Sequence, residues 1–195
     1  MRKIVSERDM DTVMADYITT YTKVHFTPLS PRREDIHIED IAHALSMMTR
    51  ANGHFPEFYS VGQHCLACAD EALARGSGTY LELACLLHDA AESYLADVTR
   101  PVKQHMEFFR QTEEKLLDLI YERFLGRVPT DDEQIFIKNV DDTMLYYEFY
   151  HYMGERLFEE PMQMFSTPRF AMCKFAETEQ QYRERFARLS ARLHA

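Results

Sequence analysis

The stretch Leu83-Ala84-Cys85-Leu86-Leu87-His88-Asp89-Ala90-Ala91-Glu92 carries the chemistry, because an apolar helical run leads straight into a histidine and two acids. On a helix Glu92 falls four residues after His88 and three after Asp89, so the three can share one rim. Asp97 follows soon after. Gathering ionisable groups at the end of an apolar helix is costly unless something compensates them. A divalent cation would do so.

A single His-Asp dipeptide carries little weight, and a lone histidine there reads most simply as a hydrogen-bonded core residue. Two further positions add weight. His64 lies among Val61, Cys65, Cys68 and Ala69, and Asp141 falls on the stripe of Ile137, Met144 and Leu145. Each is a polar residue where the helical pattern expects an apolar one. Two imidazoles and two carboxylates from three helices make an N/O donor set. Such a set suits Mn, Fe, Co, Ni or Mg better than the sulfur-rich set of structural zinc. Cys65 and Cys68 form a C-x-x-C, but no second pair follows, and within an apolar helix they read as small buried hydrophobes.

These residues need elements to position them. The first twenty residues suggest an amphipathic helix through Met10, Val13, Met14 and Tyr17. Alternation in Thr22–Phe26 and Asp35–Ile38, with Pro28 and Pro31 between, suggests a small β-hairpin. Thereafter the chain reads as helices. Ile41, Leu45 and Met48 form one stripe. Ser60 with Gln63 is a capping box, and Gly76 stands where that helix should stop. Thr79 with Glu82 is a second box, opening a helix from Tyr80 to about Tyr94. A long helix carries Phe109, Leu116, Leu117, Ile120 and Phe124 ahead of Gly126. Thr130 with Glu133 opens another, running through Asp141 to about Tyr152. Tyr182, Phe186, Leu189 and Leu193 mark the last. The expected fold is an all-α bundle with a small N-terminal hairpin.

At 195 residues the chain can bury one substantial core, and with no internal repeat or Gly/Ser linker it reads as a single domain over 1–195. Its metal-site core covers about residues 36–155, and a C-terminal helix about 176–193. The 6 Gly and 7 Pro leave few breaks, which favours long helices. A net charge of −10 with no basic run argues against a nucleic acid polymer as partner, though not against a small anion. No apolar run is long enough for a membrane span, and the first residues lack a signal-peptide core. Together with reduced thiols, this points to the cytoplasm. Eleven Met and many aromatics fit an adaptable core or a homodimer interface.

The order His64, His88-Asp89, Asp141 resembles the H…HD…D signature of the HD-domain metal-dependent phosphohydrolases. His88-Asp89-Ala90-Ala91-Glu92, then Asp97 and Pro101-Val102-Lys103, is similar to a stretch of bacterial 5′-deoxynucleotidases. Asp40–Ser46, Arg50, Gly53-His54 and Tyr59-Ser60-Val61 resemble uncharacterised bacterial and phage members of that superfamily. The likeness covers about residues 20 to 150. It departs at Gln63 and Cys65 around the first histidine, at Ala96, and at Thr99-Arg100, which leaves the pocket less defined than the metal set.

The resemblance implies that His64, His88, Asp89 and Asp141 hold one divalent ion (Mn, Co, Fe or Ni, with Mg or Zn as further choices). Asp142 competes for the last place, and Asp141 is preferred because it follows the small apolar Val140. Glu92 and Asp97 are implied to position the attacking water and protonate the leaving oxygen. Arg50 and Lys103 would then neutralise the phosphate. His43 and His54 read as outside the site. The implied substrate is a (deoxy)nucleoside 5′-monophosphate. The rivals are a (d)NTP triphosphohydrolase and a non-catalytic nucleotide-binding protein of the same fold.

Overall fold

The computed structural model describes residues 16–160 and 162–195, and all statements of structure concern these. Met10, Val13 and Met14 of the expected first helix lie outside them. Seven α-helices follow a two-stranded antiparallel hairpin. The helices are α1 (Ile38–Met47), α2 (Val61–Ala74), α3 (Thr79–Leu87), α4 (Arg100–Lys103), α5 (Glu107–Leu125), α6 (Asp131–Met153) and α7 (Phe175–Leu193). The all-α expectation holds.

The hairpin differs in its partner. Strand β2 (His25–Phe26) pairs with β1 (Ile18–Thr19), not with the Asp35 region. Lys23 adopts φ 69° and the Thr20 carbonyl accepts from the Lys23 amide, so the turn closes within a few residues. Local closure costs less chain entropy than the longer loop through the two prolines. Arg33–Asp35 instead form a 3₁₀ turn that ends at Ile36, with Asp35 bonded to Arg32.

Helix α2 begins as its sequence demands. Ser60 Oγ accepts from the Gln63 amide at 3.1 Å, and Gln63 Oε1 accepts from the Ser60 amide at 3.3 Å. Thr130 and Glu133 open α6 in the same way. The expected box at Thr79 does not form, because Gly78 is the N-cap and Glu82 is buried against Arg185 and Arg188 of α7. Helix α3 also stops sooner than expected, at Leu87. Ala90–Ser93 then form a 3₁₀ turn, so His88 and Asp89 occupy a corner.

The core lies where α1, α2, α3 and α7 meet. Leu45, Val61, Cys65, Ala69, Leu83, Leu86 and Leu189 are fully buried there. Each large aliphatic side chain so removed from water contributes about 1.5–3 kcal/mol. Gly62 permits the close approach of α2 to α1, since a Cβ there would lie 3.2 Å from the Leu45 carbonyl and 3.1 Å from Thr178. Tyr182 on α7 donates to the Leu86 carbonyl at 2.6 Å, which props the end of α3 just before His88. The non-helical stretch between α6 and α7 is tied down by Glu71. Its buried carboxylate accepts from the Phe165 and Ser166 amides, the Ser166 hydroxyl and Arg75. No helix among the described residues is long and apolar enough to cross a membrane.

Candidate metal centre

Three helices deliver the four residues to one place. His64 sits one turn into α2 and is fully buried. His88 and Asp89 occupy the corner after α3, and Asp141 lies midway along α6. His64 Nε2 is 3.2 Å from His88 Nε2 and 3.3 Å from Asp141 Oδ1. His88 Nε2 is 3.3 Å from Asp89 Oδ2 and 3.8 Å from Asp141 Oδ1. Atoms that share one cation at about 2.0–2.2 Å sit about 3.0–3.5 Å from each other, so these spacings match a common centre.

The hydrogen bonds say which nitrogens are bare. His88 Nδ1 is 2.8 Å from the Cys85 carbonyl, which can only accept, so Nδ1 carries the proton. His64 Nδ1 is 2.6 Å from Glu148 Oε1, an acceptor again. In the neutral rings both Nε2 atoms therefore turn lone pairs toward the same gap. Two lone pairs or two imidazolium protons across 3.2 Å repel, and a single positive charge between the rings, a shared proton or a cation, relieves the contact. Asp89 Oδ2, beside the gap, is buried and has no hydrogen-bond partner. Such an orphaned atom calls for an explanation. A divalent cation would satisfy it together with the two Nε2 atoms.

Charge agrees. Asp89, Asp141 and Glu148 surround the two imidazoles, and Arg50 is the buried cation among them. Burial opposes the charged form of His88, but Asp89, Cys68 and Asp141 outweigh it and raise its pKa well above the usual histidine value. For Asp89, burial is outweighed by His88, His64 and Arg50, which hold the carboxyl below its usual range. The ring attracts positive charge, as protons or as a metal.

The two cysteines are buried and free, as expected, yet they border the ring. Cys68 Sγ is 3.5 Å from His64 Nε2. His64, Cys68 and His88 form one group of metal-capable atoms within 4.8 Å of one another, and Cys65, His88 and Asp89 form another. Asp142 makes no contact with the two imidazoles and pairs with Arg100 at 2.9 Å and with Lys138, cations that also approach Asp141 Oδ2 at 3.7 and 3.6 Å. His43 pairs with Glu179 and stacks on Tyr21, and His54 is exposed, so neither joins the ring.

Glu92 lies at the edge of the ring in the 3₁₀ turn and is buried. Its Oε1 accepts from Lys103 at 3.3 Å, and its Oε2 has no partner. Burial, then the nearby Asp89 and Asp97 charges, push its pKa up to about 9. Asp97 is half-buried, and burial raises its pKa too, against the pull of Arg50. Lys103, on α4, is shared between Glu92 and Glu113. It stands over a cavity of about 230 Å³ that also meets His88, Asp89 and Arg110. A larger cavity of about 820 Å³ opens between α5 and α6, with His88 and Asp141 at one end and Leu117, Tyr121 and Ile137 along it.

Arg50 owes its place to the backbone. The Arg50 amide donates to the Tyr59 carbonyl at 2.8 Å, and a Thr49–Ser60 bridge closes the loop against the start of α2. Ala51 and Asn52 both adopt φ 51°, a left-handed conformation uncommon outside glycine. The corner turns Arg50 inward, where Nη2 lies 3.3 Å from Glu148 Oε2 and Nη1 lies 3.7 Å from Asp89 Oδ2. Glu148 is flanked in sequence by Tyr146, Tyr147, Phe149 and Tyr150, aromatic neighbours that give no sign of an acid with a role. The signal available was its spacing, seven residues and two turns past Asp141 on one face of α6.

The chain is 33% identical over 108 residues to the uncharacterised protein YfdR of Escherichia coli, an alignment covering 55% of this chain and 58% of that protein. It is 39% identical over 102 residues to an uncharacterised protein of Rhodobacter capsulatus, covering 49% of this chain and 52% of the relative. The chain thus spans a little over half the length of the curated relatives it matches. No protein-family profile matches it.

Proposed function

We propose that this chain is a metal-dependent phosphohydrolase of the HD type that releases phosphate from a small nucleotide, with a (deoxy)nucleoside 5′-monophosphate as substrate. The observation that carries the reading is the pair of Nε2 atoms of His64 and His88 that face each other at 3.2 Å beside Asp141 and the unpartnered Oδ2 of Asp89. A divalent ion held there would polarise a phosphate oxygen and make water a nucleophile near neutral pH.

The protein's own groups supply the rest. Arg50, 3.7 Å from Asp89, and Lys103, 3.3 Å from Glu92, bring positive charge beside the ring, where they can balance a phosphate dianion. In the metal-free protein, burial and neighbouring acids raise the Glu92 pKa to about 9, which favours a protonated carboxyl at the rim. A protonated carboxyl at the rim can donate to a leaving oxygen or to bound water. Asp97 adds a second acid whose charge Arg50 balances. The cavity of about 820 Å³ falls within the usual size range for small-molecule sites and offers Leu117, Tyr121 and Ile137 as apolar wall for a nucleoside.

The test is a panel of nucleoside mono-, di- and triphosphates, with ribose and deoxyribose, across Mn, Co, Ni and Mg. Inorganic phosphate and free nucleoside from monophosphates, abolished by chelator, are expected. Metal binding with no turnover of any nucleotide would favour a non-catalytic binding protein. Release of tripolyphosphate from triphosphates would move the activity to the other end of the chain.

A further inference from the structure

We infer that Glu148 is a positioning residue that fixes the metal-facing form of His64 and docks Arg50 against the same ring. Its carboxylate is wholly buried and both oxygens are engaged. Oε1 accepts from His64 Nδ1 at 2.6 Å, and Oε2 faces Arg50 Nη2 at 3.3 Å. A carboxylate can only accept, so Nδ1 keeps its proton, and in the neutral ring Nε2 is the bare nitrogen facing His88 and Asp141. Glu148 and Asp141 share one face of α6, two turns apart. One rigid helix therefore delivers a ring carboxylate and the support for the ring's most buried imidazole.

Arg50 gains from the same contact. Without Glu148, its guanidinium would keep only the 3.7 Å approach to Asp89, and it would then compete with a cation for that oxygen. With Glu148 in place, Arg50 is held beside the ring. This couples metal affinity to the placement of the phosphate-binding cation. The inference rests on reading the ring as a cation site. The rival is that Glu148 merely neutralises a buried arginine.

Glu148→Gln in the full chain separates the two. The amide keeps the volume but turns a donor toward either His64 Nδ1–H or the Arg50 guanidinium. Zinc and manganese affinities, read by chelator competition, are expected to fall about 10- to 100-fold. Glu148→Asp, with the charge one methylene back, should fall between. Glu71→Gln supplies the control: it removes a buried carboxylate that makes no contact with the ring, so it should lower Tm and leave metal affinity alone. Proton NMR of the zinc-loaded protein should show a far-downfield His64 Nδ1 proton that moves upfield in Glu148→Gln. An affinity within twofold of wild type in folded Glu148→Gln, or an unmoved Nδ1 proton, would overturn the inference. Wild-type protein that binds no divalent ion would remove the cation reading itself. The Nδ1 proton, read on metal-free protein above the histidine pKa, would then decide the role of Glu148 alone.

Discussion

His64 and His88 face each other Nε2 to Nε2 at 3.2 Å, with each Nδ1 already committed to an acceptor. Neither ring can relieve the contact by changing tautomer without breaking a bond that anchors it. The pair is preorganised for something positive between them.

Binding a metal must therefore displace protons. Burial disfavours the imidazolium at both rings, and Arg50 opposes it at His64. Cys68, Glu148 and Asp141 at His64, and Asp89, Cys68 and Asp141 at His88, nevertheless raise both pKa values well above the usual one. Protonated imidazole cannot ligate, so affinity should weaken as pH falls. Calorimetry in two buffers of different ionisation enthalpy should show proton release on metal binding, growing toward acid pH.

Asp141→Asn should cut metal affinity by at least tenfold, whereas Asp142→Asn should leave it within about twofold. Asp141 Oδ1 lies 3.3 Å from His64 Nε2, while Asp142 is engaged by Arg100 and Lys138 outside the ring. Metal titration of the two variants decides between them.

Glu92 makes two measurable differences. Its pKa of about 9 in the fold, against an ordinary 4.5, means that the folded protein keeps a proton the unfolded chain has lost. Between these values the unfolded state binds fewer protons, so the stability of metal-free protein should fall as pH rises. The raised histidine values act in the same direction. Glu92→Gln should flatten the slope between about pH 4.5 and 9, read as Tm in chelator. Glu92→Ala should lower turnover about a hundredfold or more with metal still bound. Near wild-type turnover would remove it from the mechanism.

Glu71→Gln should cost about 2 kcal/mol, a fall in Tm of about 4–8 °C, because it weakens the buried carboxylate that holds two backbone amides and Arg75. Metal affinity should be unchanged. A Tm equal to wild type would show that the stretch before α7 is held by other contacts.

Part of the ring was legible because polar residues on apolar stripes are anomalous, and His64 and Asp141 stood out against Val61, Cys65, Ile137 and Met144, while the family resemblance supplied the set of four. Capping chemistry located α2 and α6 because Ser60 and Thr130 act through neighbours three residues away. The same pattern misled at Thr79, where the partner Glu82 is drawn to arginines on α7, about a hundred residues on. Tertiary contact overrode the local signal. The hairpin went to the nearer strand for reasons of turn geometry that the Lys23 backbone reveals and its residue type does not. Arg50 depends on a left-handed corner at Ala51 and Asn52, residues that seldom announce one. Glu148 was masked by the aromatic residues around it.

The claim that the ring holds a single divalent cation is tested most directly by anomalous X-ray diffraction from crystals of the cobalt-loaded protein. One strong peak is expected at about 2.0–2.3 Å from His64 Nε2, His88 Nε2, Asp89 and Asp141. No peak in the ring under conditions where cobalt is present, or a peak bound elsewhere with His64 and His88 still facing each other empty, would contradict it.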